Sequence, residues 1–152
     1  MKHLKLAKLT IASLLVSASV YIAPSVQAET KVTTAEDINW GYLNPARGDK
    51  SPGAADLWGD RTKDTATGML VRFNKGFEGS ITSSGDEFKA VVIQGSLSYI
   101  DENKSNARTL NAGSYVASST PAKHRLRNIS DDETIVYVRA SSKYQVNDLV
   151  SR

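Results

Sequence analysis

From Met69 onward, short apolar runs alternate with clusters of turn-forming residues, a pattern that predicts β-strands. The candidate strands are MLVRF, EFKAVVIQ, SLSYI, ARTL, SYVAS, HRLRNI and TIVYVRA. Clusters such as NKG, SSGD and NAG separate them at a spacing typical of β-sandwiches and barrels. No segment after residue 68 has a convincing helical period, so the pattern predicts an all-β fold.

The region before these strands has a different character. Residues 44–68 are dense in Gly, Pro, Asp and Asn, which predicts turns and a loop-rich N-terminal arm. Because a structureless loop of that length is uncommon in a compact domain, we expect a short strand near Ala55–Trp58. The serines of GSITSSGD are expected to be turn residues.

Residues 1–28 have the pattern of a secretory signal peptide. Three lysines precede an apolar run from about Leu9 to Ala23, and small residues frame a cleavage site after Ala28. Cleavage would leave residues 29–152 as a single secreted domain with no membrane span, and we expect it in the periplasm. A retained N-terminal anchor is the alternative.

Charge and residue types narrow the chemistry. Loss of Lys2, Lys5 and Lys8 would leave 16 basic residues against 16 acidic ones. Without excess positive charge, a nucleic-acid partner is not expected. The chain has no cysteine, and His124 is the one histidine after residue 28. Thiol ligands, disulfides and sites built from several histidines are therefore excluded within one such chain.

Strand alternation predicts which side chains share a face. Along KHRLRN, it places His124, Leu126 and Asn128 on one face and the basic residues Lys123, Arg125 and Arg127 on the other. This basic cluster is therefore interpreted as the solvated outer face of one strand. If Ser84 and Phe88 point inward, alternation turns Glu87 outward.

Two spacings lead to a family resemblance. Five residues separate Gly76 from Thr82, and Ser84, Phe88 and Gly95 follow at fixed intervals. This stretch resembles the first motif of the cupin superfamily, in which His, His and Glu ligands occupy the positions of Thr82, Ser84 and Phe88. In the second motif, a histidine follows a glycine after eleven positions and an asparagine comes four later.

Gly113, His124 and Asn128 fit this second spacing. Longer segments, including WGYLNPARGD and NAGSYVASSTPAKH, look like the ChrR-like small bacterial cupins. The resemblance implies a jelly-roll β-barrel, often dimeric, with a central pocket that holds one divalent metal.

The metal site implied by the resemblance is degenerate. Of the four ligand positions, only His124 holds a competent transition-metal ligand, whereas zinc and iron sites use three or four protein ligands. We therefore expect no cofactor. The alternative is a divalent metal held by His124 and Glu87, if a β-bulge turns Glu87 inward.

The predicted ligand pocket combines the motif positions with polar groups on nearby strands. An inward arginine would favour an anionic small molecule. The predicted pocket residues are His124, Thr82, Ser84, Phe88, Asn128, Arg72 and Tyr99.

Three functions follow from these observations. The leading hypothesis is an exported, non-catalytic cupin-fold module that binds a small molecule or a partner and forms a homodimer. The first alternative is a metal-dependent enzyme of dioxygenase or isomerase type that uses His124 with carboxylates. The second is a structural or interaction protein with a filled barrel.

Overall fold

The computed structural model describes residues 29–101, 106–142 and 144–148, the last of these by backbone alone. The predicted signal peptide, residues 1–28, lies outside the described residues. Residues 29–40 form no helix or strand. Within the described ranges, no helix has the length and apolar character needed to cross a bilayer.

Short strands account for nearly all the regular structure of the described chain. A 3-10 helix, Pro45–Lys50, lies between the first two strands. The strands are β1 (Gly41–Tyr42), β2 (Gly53–Trp58), β3 (Thr67–Phe73), β4 (Glu78–Ser83), β5 (Phe88–Gln94), β6 (Ser96–Asp101), β7 (Arg108–Asn111), β8 (Tyr115–Ser118), β9 (Ala122–Asn128), β10 (Thr134–Ala140) and β11 (Tyr144–Asp148).

The strands form two antiparallel sheets. The six-stranded sheet has the order β1-β2-β3-β10-β5-β8 and the five-stranded sheet the order β11-β4-β9-β6-β7. The all-β prediction is confirmed, and β2 is the strand expected near Ala55. The prediction of a closed barrel is corrected: among the described strands the two sheets stay open, because the edge strands of one sheet do not pair with those of the other.

The inner faces of the sheets enclose one apolar core. Strands β3, β5 and β10 supply it from one sheet, and β4, β6 and β9 from the other. Burying each large apolar side chain contributes about 1.5–3 kcal/mol. The core residues are Met69, Val71, Phe73, Ile81, Phe88, Val92, Leu97, Leu126, Val136 and Val138.

Strand β4 corrects the prediction for the serines. Ser80 and Ser83 lie within β4 and are buried, rather than in a turn. The reason is that β4 pairs on both sides, with β9 and with β11, and ladder pairing outweighs the local turn preference of serine.

The glycines of the cupin-like spacing occupy turns with left-handed backbone. Gly76, Gly95 and Gly113 have φ values of 76°, 80° and 87°. At Gly95, between β5 and β6, an added Cβ would also meet Ser130 Oγ at 2.9 Å and Thr134 Cα at 3.0 Å. At Gly113 an added Cβ would meet nothing within 4 Å. The spacing is thus explained by backbone geometry, without reference to a metal.

These two glycines form a matched pair for mutation. Gly113→Ala should lower the free energy of unfolding by about 1–2 kcal/mol, through left-handed strain alone. Gly95→Ala adds an overpacking cost and should lose about 2–5 kcal/mol in total. Urea denaturation of both variants measures the difference. Equal losses of unfolding free energy in the two variants would show that the contacts around Gly95 add no overpacking cost.

Candidate functional site

His124 lies on the inner face of β9, at the centre of the five-stranded sheet. It is 3% exposed. Ile81 on β4 and Asp101 on β6 are its direct cross-strand partners. Because residues directly opposite in a ladder share a face, both partners lie on the inner face with His124.

The imidazole ring has a neighbour on each polar edge. The Tyr99 hydroxyl lies 3.0 Å from His124 Nδ1, and Ser118 Oγ lies 3.5 Å from Nε2. In neutral imidazole one ring nitrogen donates and the other accepts, so the two hydroxyls can satisfy both. The ring is also stacked on Phe88, with centroids 4.5 Å apart and an interplanar angle of 19°.

The space left beside this ring is small. A cavity of about 20 Å³, measured as the room open to the centre of a water molecule, lies between the two sheets. Apart from His124 and Tyr99, every side chain that lines it is apolar, among them Phe73 and Leu97. A volume of that size suits a single water and excludes a larger ligand.

Burial and one carboxylate set the electrostatics of the site. Burial lowers the pKa of His124, and the Asp101 carboxylate opposes this by raising it. Burial also raises the pKa of the Tyr99 phenol, and Asp101 adds to that rise. Burial thus favours the neutral imidazole, while Asp101 favours the charged one.

Three of the predicted pocket residues meet in this cavity: His124, Phe88 and Tyr99. Thr82 and Ser84 do not line it. In the register of β4 with β9, Ile81 is opposite His124 and Ser83 is opposite Ala122, which turns Thr82 to the outer face with Lys123. The cupin-like spacing thus predicted inward side chains at Thr82 and Ser84, each one residue after the inward positions of β4, Ile81 and Ser83.

Arg72 and Glu87 lie on the outer face of the six-stranded sheet. The Arg72 guanidinium lies over the ring of Trp40 and 3.6 Å from the Glu133 carboxylate. Glu87 pairs with Lys89 at 2.8 Å and with Arg139 at 2.7 Å. A hydrogen bond from Lys89 lowers the pKa of the Glu87 carboxyl. The structure therefore does not bring Glu87 to His124.

Asn128 joins turns and does not line the cavity. Its Nδ2 donates to the carbonyls of Phe73 at 3.0 Å and Asp132 at 2.8 Å. Its Oδ1 accepts from Thr134 Oγ1 at 2.8 Å and from the Ser130 amide at 2.9 Å. The carboxamide thus ties the end of β3 to the turn between β9 and β10.

The described residues do not fit a transition metal. Among these residues, no three or more His, Cys, Asp or Glu side chains form a group that could bind a metal ion. His124 and Asp101 together supply two donors, fewer than the three or four that zinc and iron take from protein.

Two residues of the site escaped the sequence analysis: Asp101 and Ser118. Alternation along SLSYID puts Asp101 on the face of Leu97 and Tyr99, and alternation along YVAS puts Ser118 with Val116. The period-2 pattern was therefore sufficient to find both.

Replacing Asn128 should destabilise the fold. Asn128→Ala removes the side-chain donor of the Phe73 and Asp132 carbonyls and the acceptor of the Ser130 amide, which should cost about 2–4 kcal/mol. The control is Asn111→Ala, since the exposed Asn111 side chain accepts one bond from Ser96 Oγ. That control should change stability by about 0.5 kcal/mol or less. Urea denaturation measures both, and a small loss in both variants would contradict the role given to Asn128.

Protonation of His124 should oppose folding. Its pKa is below 6.5 in the folded state, so the unfolded chain binds a proton first. The free energy of unfolding therefore carries no penalty from His124 well above its ordinary pKa. It decreases as the pH drops toward the folded-state pKa of His124. His124→Gln should flatten this slope in denaturation curves taken across that window, and Asp101→Asn should steepen it. A slope unchanged by His124→Gln would contradict the assignment.

Solved structures similar to this chain carry the cupin fold. An RmlC-like cupin protein from Ralstonia eutropha has a TM-score of 0.60 at 14% identity, over 81% of this chain and 78% of that one. A Klebsiella pneumoniae protein with a double-stranded β-helix domain has a TM-score of 0.58 at 17% identity, over 80% and 100%. A predicted oxalate decarboxylase from Thermotoga maritima has a TM-score of 0.57 at 14% identity, over 78% and 100%. At these identities the likeness extends to the fold alone.

Sequence comparison identifies the family. No curated protein matches the chain significantly. The family described as "Domain of unknown function (DUF4437)" matches residues 31–81 and 75–147. These two overlapping segments cover most of the chain, including β4, β9 and the His124 site. The chain therefore belongs to the DUF4437 family, with a fold of the cupin type.

Proposed function

We propose that the protein is an exported, non-catalytic binding module of the cupin fold, in which the position of the metal site has become packed core. Recognition then takes place on an outer surface of the sheets, with a small anionic molecule as the ligand. The ChrR-like subtype and the degenerate metal motif are part of this proposal. Export and homodimer formation stay predictions.

The packing around His124 carries the proposal. Its ring is stacked on Phe88, and its two nitrogens lie beside the hydroxyls of Tyr99 and Ser118. A nitrogen that accepts a hydrogen bond has no free lone pair for a metal, and the other carries a proton. The room beside the ring, about 20 Å³, is a small fraction of the 300 Å³ or more of typical ligand sites.

A metal-dependent cupin enzyme of dioxygenase or isomerase type is the second candidate. One observation favours it: Asp101 is the direct cross-strand partner of His124 on the inner face. An imidazole and a carboxylate are a partial ligand set for iron or zinc. The chain shares its fold with the Thermotoga maritima protein named a predicted oxalate decarboxylase. The first candidate is preferred because the ring nitrogens already have partners.

Elemental analysis and thermal unfolding separate the two candidates. Protein purified without chelator should contain far less than one Fe, Mn, Zn or Ni ion per chain, and EDTA should leave its melting temperature unchanged, since bound metal would add its binding energy to folding. Tyr99→Phe serves as a control that keeps the imidazole. One ion per chain that persists in Tyr99→Phe and disappears in a folded His124→Ala variant would favour the enzyme.

A further inference from the structure

The outer face of the five-stranded sheet has a groove that the proposed function does not by itself explain. It has a volume of about 260 Å³, measured as for the inner cavity, and lies over strands β4, β9 and β6. Arg125 and Arg127 of β9 line it, together with Ser98 and Ile100 of β6 and Glu78 of β4. In the strand register, Arg125 is opposite Ile100 and Arg127 is opposite Ser98. Arg125 and Arg127, two of the three basic residues predicted to be a solvated face, thus border a concave surface.

In the described part of the chain, Arg125 and Arg127 differ from three other arginines in having no carboxylate partner. Arg61, Arg72 and Arg139 each lie within 4.0 Å of a carboxylate, at 3.0, 3.6 and 2.7 Å. Among the described residues, no carboxylate lies within that distance of Arg125 or Arg127, although both are exposed. Two guanidinium groups are therefore available to an anion from solution.

The spacing of the arginines limits the shape of that anion. Residues two apart on a strand lie about 7 Å from each other along it. Each guanidinium can bind one carboxylate with two parallel hydrogen bonds. The Ile100 side chain lies directly beside Arg125 in the ladder and offers an apolar surface to a short carbon chain. A small molecule with two carboxylates joined by a few carbons suits this arrangement.

We propose that this groove binds a short-chain dicarboxylate, one carboxylate to Arg125 and the other to Arg127. The inference rests on the proposed function, in which the core is packed and the ligand binds an outer surface of the sheets. The groove is that surface. The inference names the ligand class and moves the site from the inner cavity to the outside of β9.

Among the described residues that line the groove, Glu78 is the one acidic side chain, and it opposes an anion. It is opposite Arg127 in the register of β4 with β9, and its side chain is exposed. A carboxylate there repels a second carboxylate nearby, so Glu78 should weaken dicarboxylate binding. Removing its charge provides a test in the direction opposite to that of the arginine variants.

Titration of the purified protein with succinate, followed by NMR amide shifts or calorimetry, tests the site. We expect saturable binding that Arg125→Gln and Arg127→Gln each weaken by about tenfold or more, the loss expected for one charge-assisted carboxylate contact. Glu78→Gln should tighten binding. Arg47→Gln removes an exposed arginine of the 3-10 helix and should leave the affinity for succinate unchanged.

Four outcomes would overturn the proposal. They are the absence of saturable succinate binding, equal affinity in the Arg125 variant, equal weakening by Arg47→Gln, and inorganic phosphate binding more tightly than succinate. The metal content of the same samples is an independent measurement. A metal-loaded protein with an intact succinate site would reject the proposed function and keep the groove. A metal-free protein that does not bind succinate would reject the dicarboxylate site and leave the metal-free core of the proposed function intact.

Discussion

The contact between Phe88 and His124 is the constraint on which the interior depends. Phe88 belongs to the six-stranded sheet and His124 to the five-stranded sheet, and their rings are stacked at 4.5 Å. This contact closes the space between the sheets at the position where the resemblance to cupins implies a metal. The resemblance implies a glutamate at position 88, whereas the phenyl ring of Phe88 lines the remaining space with apolar surface and leaves room for no more than a single water. One aromatic residue thus gives the centre of the fold the character of a packed core.

Hydrogen bonding can satisfy the buried histidine with protein groups alone. The Tyr99 and Ser118 hydroxyls face its two nitrogens, and Asp101 is opposite it in the ladder. The neutral ring is satisfied by two hydroxyls, and burial disfavours its protonation. The polar groups around the ring therefore satisfy a polar side chain in an apolar interior, as the proposed packed core requires.

The two outer faces of the fold differ in how their charges are used. On the six-stranded sheet, Arg139 pairs with Glu87 and lies over the ring of Trp58, so its charge is compensated within the chain. On the five-stranded sheet, Arg125 and Arg127 line a groove without carboxylate partners in the described residues. Equal numbers of acidic and basic residues in 29–152 conceal this asymmetry. The proposed recognition of an anion therefore belongs to the five-stranded sheet.

The sequence by itself determined most of the strands and the inward face of β9, because both follow from a local period of two. It also determined the turns at Gly76 and Gly113 and the break between two strands at Gly95, since a left-handed backbone at these positions favours glycine. Tertiary structure decided which residues of β4 face inward. Ile81, and not Thr82, is opposite His124, because pairing with β9 sets the register.

Tertiary structure likewise decided that the sheets stay open and that Arg72 lies outside, over Trp40. It also decided which arginines are paired: Glu87 reaches Arg139 from another strand, and no described carboxylate reaches Arg125. These features depend on residues far apart in the chain. A local pattern cannot specify them, because each is fixed by the strand that lies opposite.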